Sequence, residues 1–387
     1  MSRLAPIVLF TYNRPWHTKE TLEALASNPL SAQSDLIIYS DASKNPSKQD
    51  LGVLAVRDLL SRLYMQNKKF MRFKNIEIVE RTANLGLADS IIDGVGRAMR
   101  EYGRAIVLED DIVVSPVFLR YMNEALDFYE NEEKVWSIGA WSAPIDTTGL
   151  GSCYFFRIPY CWGWASWQSR WQHYRRDIDW ALESFSAEDI YQINLEDSMD
   201  YWEHLLLNHS GRIKTWAIFH YLIAYKRQAL TLLPSRSFIR QIGFDGSGVH
   251  CGSDGQVYNP RELNTNLPIS YPDEILESKL ALRRIQLFEI ERRKKNLAKR
   301  LAKLKRNIGN GIAKRLAKLV GGACQRLAAS QSDPHFLHSA NSSSLFVYQC
   351  LSPRRYLCDL SPQSCHGLLA SQAQATLLPA LPIEVAA

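Results

Sequence analysis

Three absences bound this 387-residue sequence before any motif is read. It contains no run approaching the roughly 20 apolar residues that span a bilayer. Its seven cysteines are scattered, odd in number and without a CxxC pair, so neither a disulfide framework nor a zinc site is indicated. The first apolar run, PIVLFT at 6–11, is short and has no signal-peptide cleavage pattern, so the expected compartment is cytoplasmic. Acidic residues are nearly missing from 279–326, where sixteen Lys and Arg face only Glu289 and Glu291. That segment carries +14, and with a chain total of +6 the remainder carries −8. An acidic body with one basic appendage argues against nucleic-acid binding. Lysine is missing altogether from 330 onward, where the chain is Ser-, Leu- and Pro-rich without a sustained period, and 327–387 is expected to be a disordered tail.

What is present is a globular composition, 46% hydrophobic and 22% charged, with ample core for one large domain or two small ones. Short aliphatic runs alternate with helical spacing. PIVLFT at 6–11, LIIYS at 36–40, 76–79 and AIVL at 105–108 read as strands. Residues 18–26, 51–64 and 88–100 read as the helices between them. This order predicts an α/β fold, a mostly parallel Rossmann-like sheet flanked by helices. Right-handed crossovers bring Asn13, Asp41 and Asp111 to one rim.

The stretch RAIVLEDDIVVSP at 104–116 is the centre of that rim. Its aliphatic run has no polar alternation and reads as a strand buried on both faces. Glu109, Asp110 and Asp111 at its end would repel one another and lose hydration. A hard divalent cation, Mn²⁺ or Mg²⁺, relieves both penalties with one or two carboxylates plus phosphate oxygens. The alternative, a solvated acidic turn, fits the flanking buried runs less well. Asp41 follows its strand as either a ligand contact or a turn cap, and the loop Asn84-Leu85-Gly86 permits a tight turn and close ligand approach. Trp164, Trp167 and Trp171 are spaced as one helical face, which favours core, whereas Trp162 beside Gly163 suits a sugar-stacking surface. His250-Cys251 reads as a metal pair, a phosphate donor or a plain turn. From 273 to about 319 one long helical pattern runs, with Leu297, Leu301, Leu304 and Ile308 opposite the basic residues. That is the profile of a helix lying on an anionic membrane surface, or of a partner-helix seam.

In order, FTYNRP, YSDAS, NLGLADS and VLEDDI resemble the nucleotide-sugar half of GT-A glycosyltransferases. PYCWGWASWQSRW, Trp216 before Pro234, and IGFDGSGVH at 242–250 are similar to the acceptor half of the N-acetylglucosaminyltransferase I type, and closer still to bacterial surface-polysaccharide sugar transferases. The resemblance implies a GT-A domain at 1–272, with a nucleotide-sugar half at 1–116 and an acceptor half at 117–272, followed by the basic helical segment at 273–326. It implies a metal-dependent transfer from a nucleotide sugar to a glycan or lipid-linked glycan. Asp111 would hold the metal, with His250 a second candidate ligand. Asp110 would face the donor sugar, Glu109 the ribose and Asp41 the base, with Thr11, Asn13 and Asn84 beside the donor. Trp162 and Trp216 would line the acceptor. The sequence departs from the pattern where the relatives place an aspartate base after the tryptophan matching Trp216, because Ala217 and Ile218 cannot accept a proton. Asp245 and Asp200 are the leading candidates for the base, with Asp197, Glu203, His250 and His220 behind them. Two other classes stay open. One is a sugar-binding pseudoenzyme. The other is a nucleotidyltransferase, against which stands the lack of glycine in TYNRPWH.

Overall fold

The computed structural model describes residues 4–45, 47–48, 50–70, 73–247 and 253–307. His250 lies outside them, as does everything after 307. Packing divides the chain after Arg292 into a compact unit, Met1–Arg292, and a second unit, Arg293–Ala387. The first unit thus runs past the boundary expected at 272.

The N-terminal part of the chain begins as the sequence predicts. β1 (Ile7–Thr11), α1 (Pro15–Ala26), β2 (Asp35–Ser40), α2 (Leu51–Phe70), β3 (Asn75–Glu80), α3 (Gly86–Tyr102) and β4 (Arg104–Glu109) alternate. β5 (Ile112–Val114), α4 (Phe118–Phe128), β6 (Val135–Gly139), β7 (Cys153–Phe156), β8 (Trp164–Trp167) and α5 (Gln168–Trp171) follow. A helical layer of α6 (Ile178–Ser184), α7 (Ala187–Ile193), α8 (Tyr201–His209) and α9 (Ala217–Lys226) precedes β9 (Leu230–Pro234) and β10 (Ile239–Gln241). α10 spans Lys279–Asn307. It starts after the position expected for it because Glu277 bridges to Phe155 as a strand residue, and Ser278 Oγ then accepts the Ala281 amide.

One eight-stranded sheet has the order β3-β2-β1-β4-β8-β6-β9-β7. β3, β2, β1 and β4 are parallel, and β8 runs antiparallel to β4. The architecture is therefore mixed α/β with a large, mostly parallel central sheet between helices. Strand alternation sorts the apolar residues to two faces. Ile7, Leu9, Ile38, Ile106 and Leu108 pack with α1, α2 and α4, whereas Val8, Phe10, Tyr39 and Val107 pack with α3.

Trp164 and Trp167 are not one helical face. They end a strand that Ala105 and Ile106 of β4 pair with, and they enter opposite cores. Trp164, Trp171 and Trp216 surround His220, with Trp136 closing the box and its indole N–H 3.2 Å from the imidazole nitrogens. Burial pushes the His220 pKa down to about 3. An unfolded histidine protonates near 6.5, so the unfolded chain takes up a proton first. Stability from this site is complete above about pH 6.5 and is lost as pH falls toward 3, by about 1.4 kcal/mol per unit. His220→Gln, which accepts from the indole without titrating, is expected to flatten that part of the stability–pH curve measured by denaturant melts.

Among the described residues, no helix is long and apolar enough to cross a membrane. The first turns of α10 belong to the body. Ala281 and Ile285 are buried, Gln286 donates to the Leu195 carbonyl, and the Tyr258 hydroxyl meets Glu289.

Candidate functional site

β4 ends at Glu109, and Asp110-Asp111 turn the chain into β5. β5 then pairs antiparallel with β10, with Gln241 opposite Ile112. That register continues one step further, as the Ile242 amide donates to the Asp111 carbonyl at 2.9 Å. Gly243 is thereby laid over the Asp111 side chain. A Cβ there would clash with Asp111 Oδ2 and come within 2.9 Å of Arg14 Nη1. Gly243→Ala is expected to displace this carboxylate–guanidinium pair and so to lower the melting temperature, which a thermal scan checks.

Arg14 is the residue that sequence reasoning passed over. It precedes Pro15, whose fixed φ suits the first position of α1. α1 is anchored to the acidic turn by Thr21, whose hydroxyl donates to the Asp110 carbonyl at 2.9 Å. Arg14 Nη2 then reaches both Asp110 and Asp111, the latter at 2.8 Å. Burial opposes the guanidinium charge, but Asp110 and Asp111 outweigh it and hold Arg14 protonated above its ordinary range.

One guanidinium does not neutralise three carboxylates. Burial, then Asp111 and Asp110, push Glu109 up to about 8. Burial raises Asp110 to about 6 against the pull of Arg14. Asp111 Oδ1 is buried and has no hydrogen-bond partner among the described residues. These carboxylate oxygens are hard ligands and carry unbalanced charge, so the residues fit a divalent cation held through Asp111. No group of three or more His, Cys, Asp or Glu among the described residues forms a metal cage. A cation here would therefore take most of its ligands from phosphate and water, as Mg²⁺ commonly does.

The neighbouring strand ends form a second cluster. Asp41 accepts from the amides of Ala42, Leu85 and Gly86 and from the Asn84 side chain, all within 3.0 Å. It clamps the NLGL loop to β2, and these four donors occupy both its oxygens. Thr11 is buried, its hydroxyl donating to the Tyr39 carbonyl. Asn13 donates to Asp50, which also receives the Tyr12 hydroxyl and the Gly52 amide at the start of α2. Gly52 is required because a Cβ would strike the Asn13 backbone. Tyr12, Asn13, Ser43, Lys44, Asp50 and Ser247 line a cleft of about 390 Å³.

Asp245 lies two residues beyond Gly243, its Oδ2 3.1 Å from His17 Nε2. Bonds from the Ser247 hydroxyl and amide lower its pKa. Asp200 instead heads α8, which packs chiefly on α6, α7 and α9. Trp162 is half-buried, edge-on to Trp141 and Phe244. Trp216, expected to line an acceptor, is 3% exposed and stacked on Trp164, so it has no open face for a sugar. The structure thus brings Asp110, Asp111, Arg14 and Gly243 together, with Asp245 two residues on against His17, and Ser247 of the same turn lines the cleft of Tyr12 and Asn13. It does not bring Asp200 or Trp216 there.

No family model and no curated protein matches the sequence. Among solved structures the chain is similar to a CMP:2-keto-3-deoxy-manno-octonic acid synthetase complexed with CTP. The identity is 13%, the match covers 58% of this chain and 99% of that one, and the TM-score is 0.28.

Proposed function

We propose that this protein is a metal-dependent glycosyltransferase that moves a sugar from a nucleotide-diphosphate sugar to a glycan or lipid-linked glycan. The observation that carries this reading is the pairing of Arg14 with Asp110 and Asp111 at the C-terminal end of β4, beside a polar cleft at the ends of β1 and β2. Ligands of open α/β sheets bind at that edge.

In this reading the nucleoside enters the cleft of Tyr12 and Asn13, and the diphosphate points toward Arg14. Phosphate oxygens compete with Asp110 and Asp111 for the guanidinium, whose planar donors suit them. Asp111 is the residue that would hold Mn²⁺ or Mg²⁺, and such a cation would neutralise charge on the leaving diphosphate. Asp110 faces the donor sugar and Glu109 the ribose. Asp245, ionised at neutral pH, accepts the proton of the acceptor hydroxyl as the new bond forms.

Asp245→Asn is expected to lower kcat with donor affinity nearly unchanged, which separates loss of chemistry from loss of binding. An unaltered kcat would remove Asp245 from this role. The reading as a whole is tested by thermal shift with a panel of nucleotide sugars and Mn²⁺. A donor at a hundred times its Kd stabilises by about 2.7 kcal/mol. A panel without any shift rejects a donor site.

A further inference from the structure

All ten tryptophans of the chain lie among the described residues, and nine are buried or half-buried. Trp16 alone is exposed, at 55%. A single exposed apolar side chain needs no explanation by itself. Its surroundings are what call for one. Trp16 follows Arg14 by two residues, at the start of the helix that Thr21 fastens to Asp110. Its ring stands edge-on to His17, with centroids 4.9 Å apart and planes at 82°. His17 is buried, and its Nε2 lies 3.1 Å from Asp245 Oδ2. An indole with an open surface thus stands against the histidine that meets the candidate base.

We propose that Trp16 is the platform on which the sugar ring of the acceptor stacks. The proposal rests on the glycosyl-transfer reading and names the acceptor end of that site. A pyranose is amphipathic, with a C–H face that packs on an aromatic ring and an equatorial belt of hydroxyls that needs polar partners. Asp245 and Ser247, joined by the hydrogen bonds of their turn, supply acceptor oxygens on the side where His17 meets the turn. An acyl chain would gain from the indole but nothing from the carboxylate. Trp216 is buried, and Trp162 is hemmed by Trp141 and Phe244, so neither competes for the role. Trp16 acts by contact with substrate and takes no part in proton transfer.

The test is acrylamide quenching of tryptophan fluorescence, comparing the full chain with Trp16→Phe to isolate the exposed residue. The probes are free hexoses, N-acetylhexosamines and β-linked disaccharides. At least one is expected to protect the Trp16 component, and Trp16→Phe is expected to lose that protected component. Once an acceptor is in hand, Trp16→Ala should raise its KM about three- to tenfold with kcat little changed, and Trp16→Tyr should restore most of the loss. Absence of protection by every sugar overturns the platform. If the wild type still turns over a nucleotide sugar, the transferase reading survives that failure. Protection by vesicles of anionic phospholipid, with none by sugars, also overturns it and assigns Trp16 to a membrane contact.

Discussion

Arg14→Ala is expected to destabilise the protein by about 3–5 kcal/mol at neutral pH in the absence of divalent cations, the usual cost of orphaning one side of a buried ion pair. Asp110 and Asp111 are almost wholly buried, and Arg14 is the cation that reaches both of them. Its removal leaves three adjacent carboxylates facing one another, with Glu109 already pushed up to about 8 in the presence of the guanidinium. A distinguishing feature is rescue. If this turn is built to hold a cation, Mn²⁺ should recover part of the lost melting temperature in Arg14→Ala and do so far more than in the wild type. Melts with and without Mn²⁺ read this directly. A variant that loses stability but ignores Mn²⁺ has only a structural ion pair.

The second large effect is on turnover. Asp111→Asn keeps the volume and removes the charge beneath Gly243. It is expected to lower kcat on the order of 10²–10³-fold, the size of losing one preorganised charge partner in a transition state. The fold should persist, because the amide still accepts from Arg14 and relieves the repulsion on Glu109 and Asp110. Circular dichroism alongside steady-state kinetics separates the two effects. Full Mn²⁺-dependent activity in Asp111→Asn would remove Asp111 from the site.

β1, β2 and β4 were legible because each holds a short aliphatic run without polar alternation, as a strand covered on both faces does, whereas β3, NIEIVE, is a half-exposed edge strand. The acidic triplet was legible for the same reason, since charges at the end of such a run have few places to go. The partner of that triplet was not. Arg14 is 97 residues from Asp111, and the β5–β10 register that lays Gly243 over Asp111 joins segments more distant still. No local pattern encodes such a contact. The tryptophan block misled by its spacing. β8 ends at Trp167 and α5 begins at Gln168, so a strand followed at once by a helical turn mimics one amphipathic helix. Trp216, which the resemblance put at the acceptor beside a missing base, fills the aromatic box around His220. The start of α10 was hidden by its charge. Lys279, Arg283 and Arg284 make the segment read as an appendage, while Ala281, Ile285 and Gln286 on another face bury against the body.

The measurement that bears most directly on the central claim is identification of the nucleotide product. Wild-type protein is incubated with each nucleotide sugar, Mn²⁺ and a sugar acceptor, and the products are resolved chromatographically. The account predicts release of a nucleoside diphosphate from one donor, abolished by chelation and by Asp111→Asn. Release of pyrophosphate from a nucleoside triphosphate and a free sugar, with no nucleoside diphosphate from any donor, would contradict it.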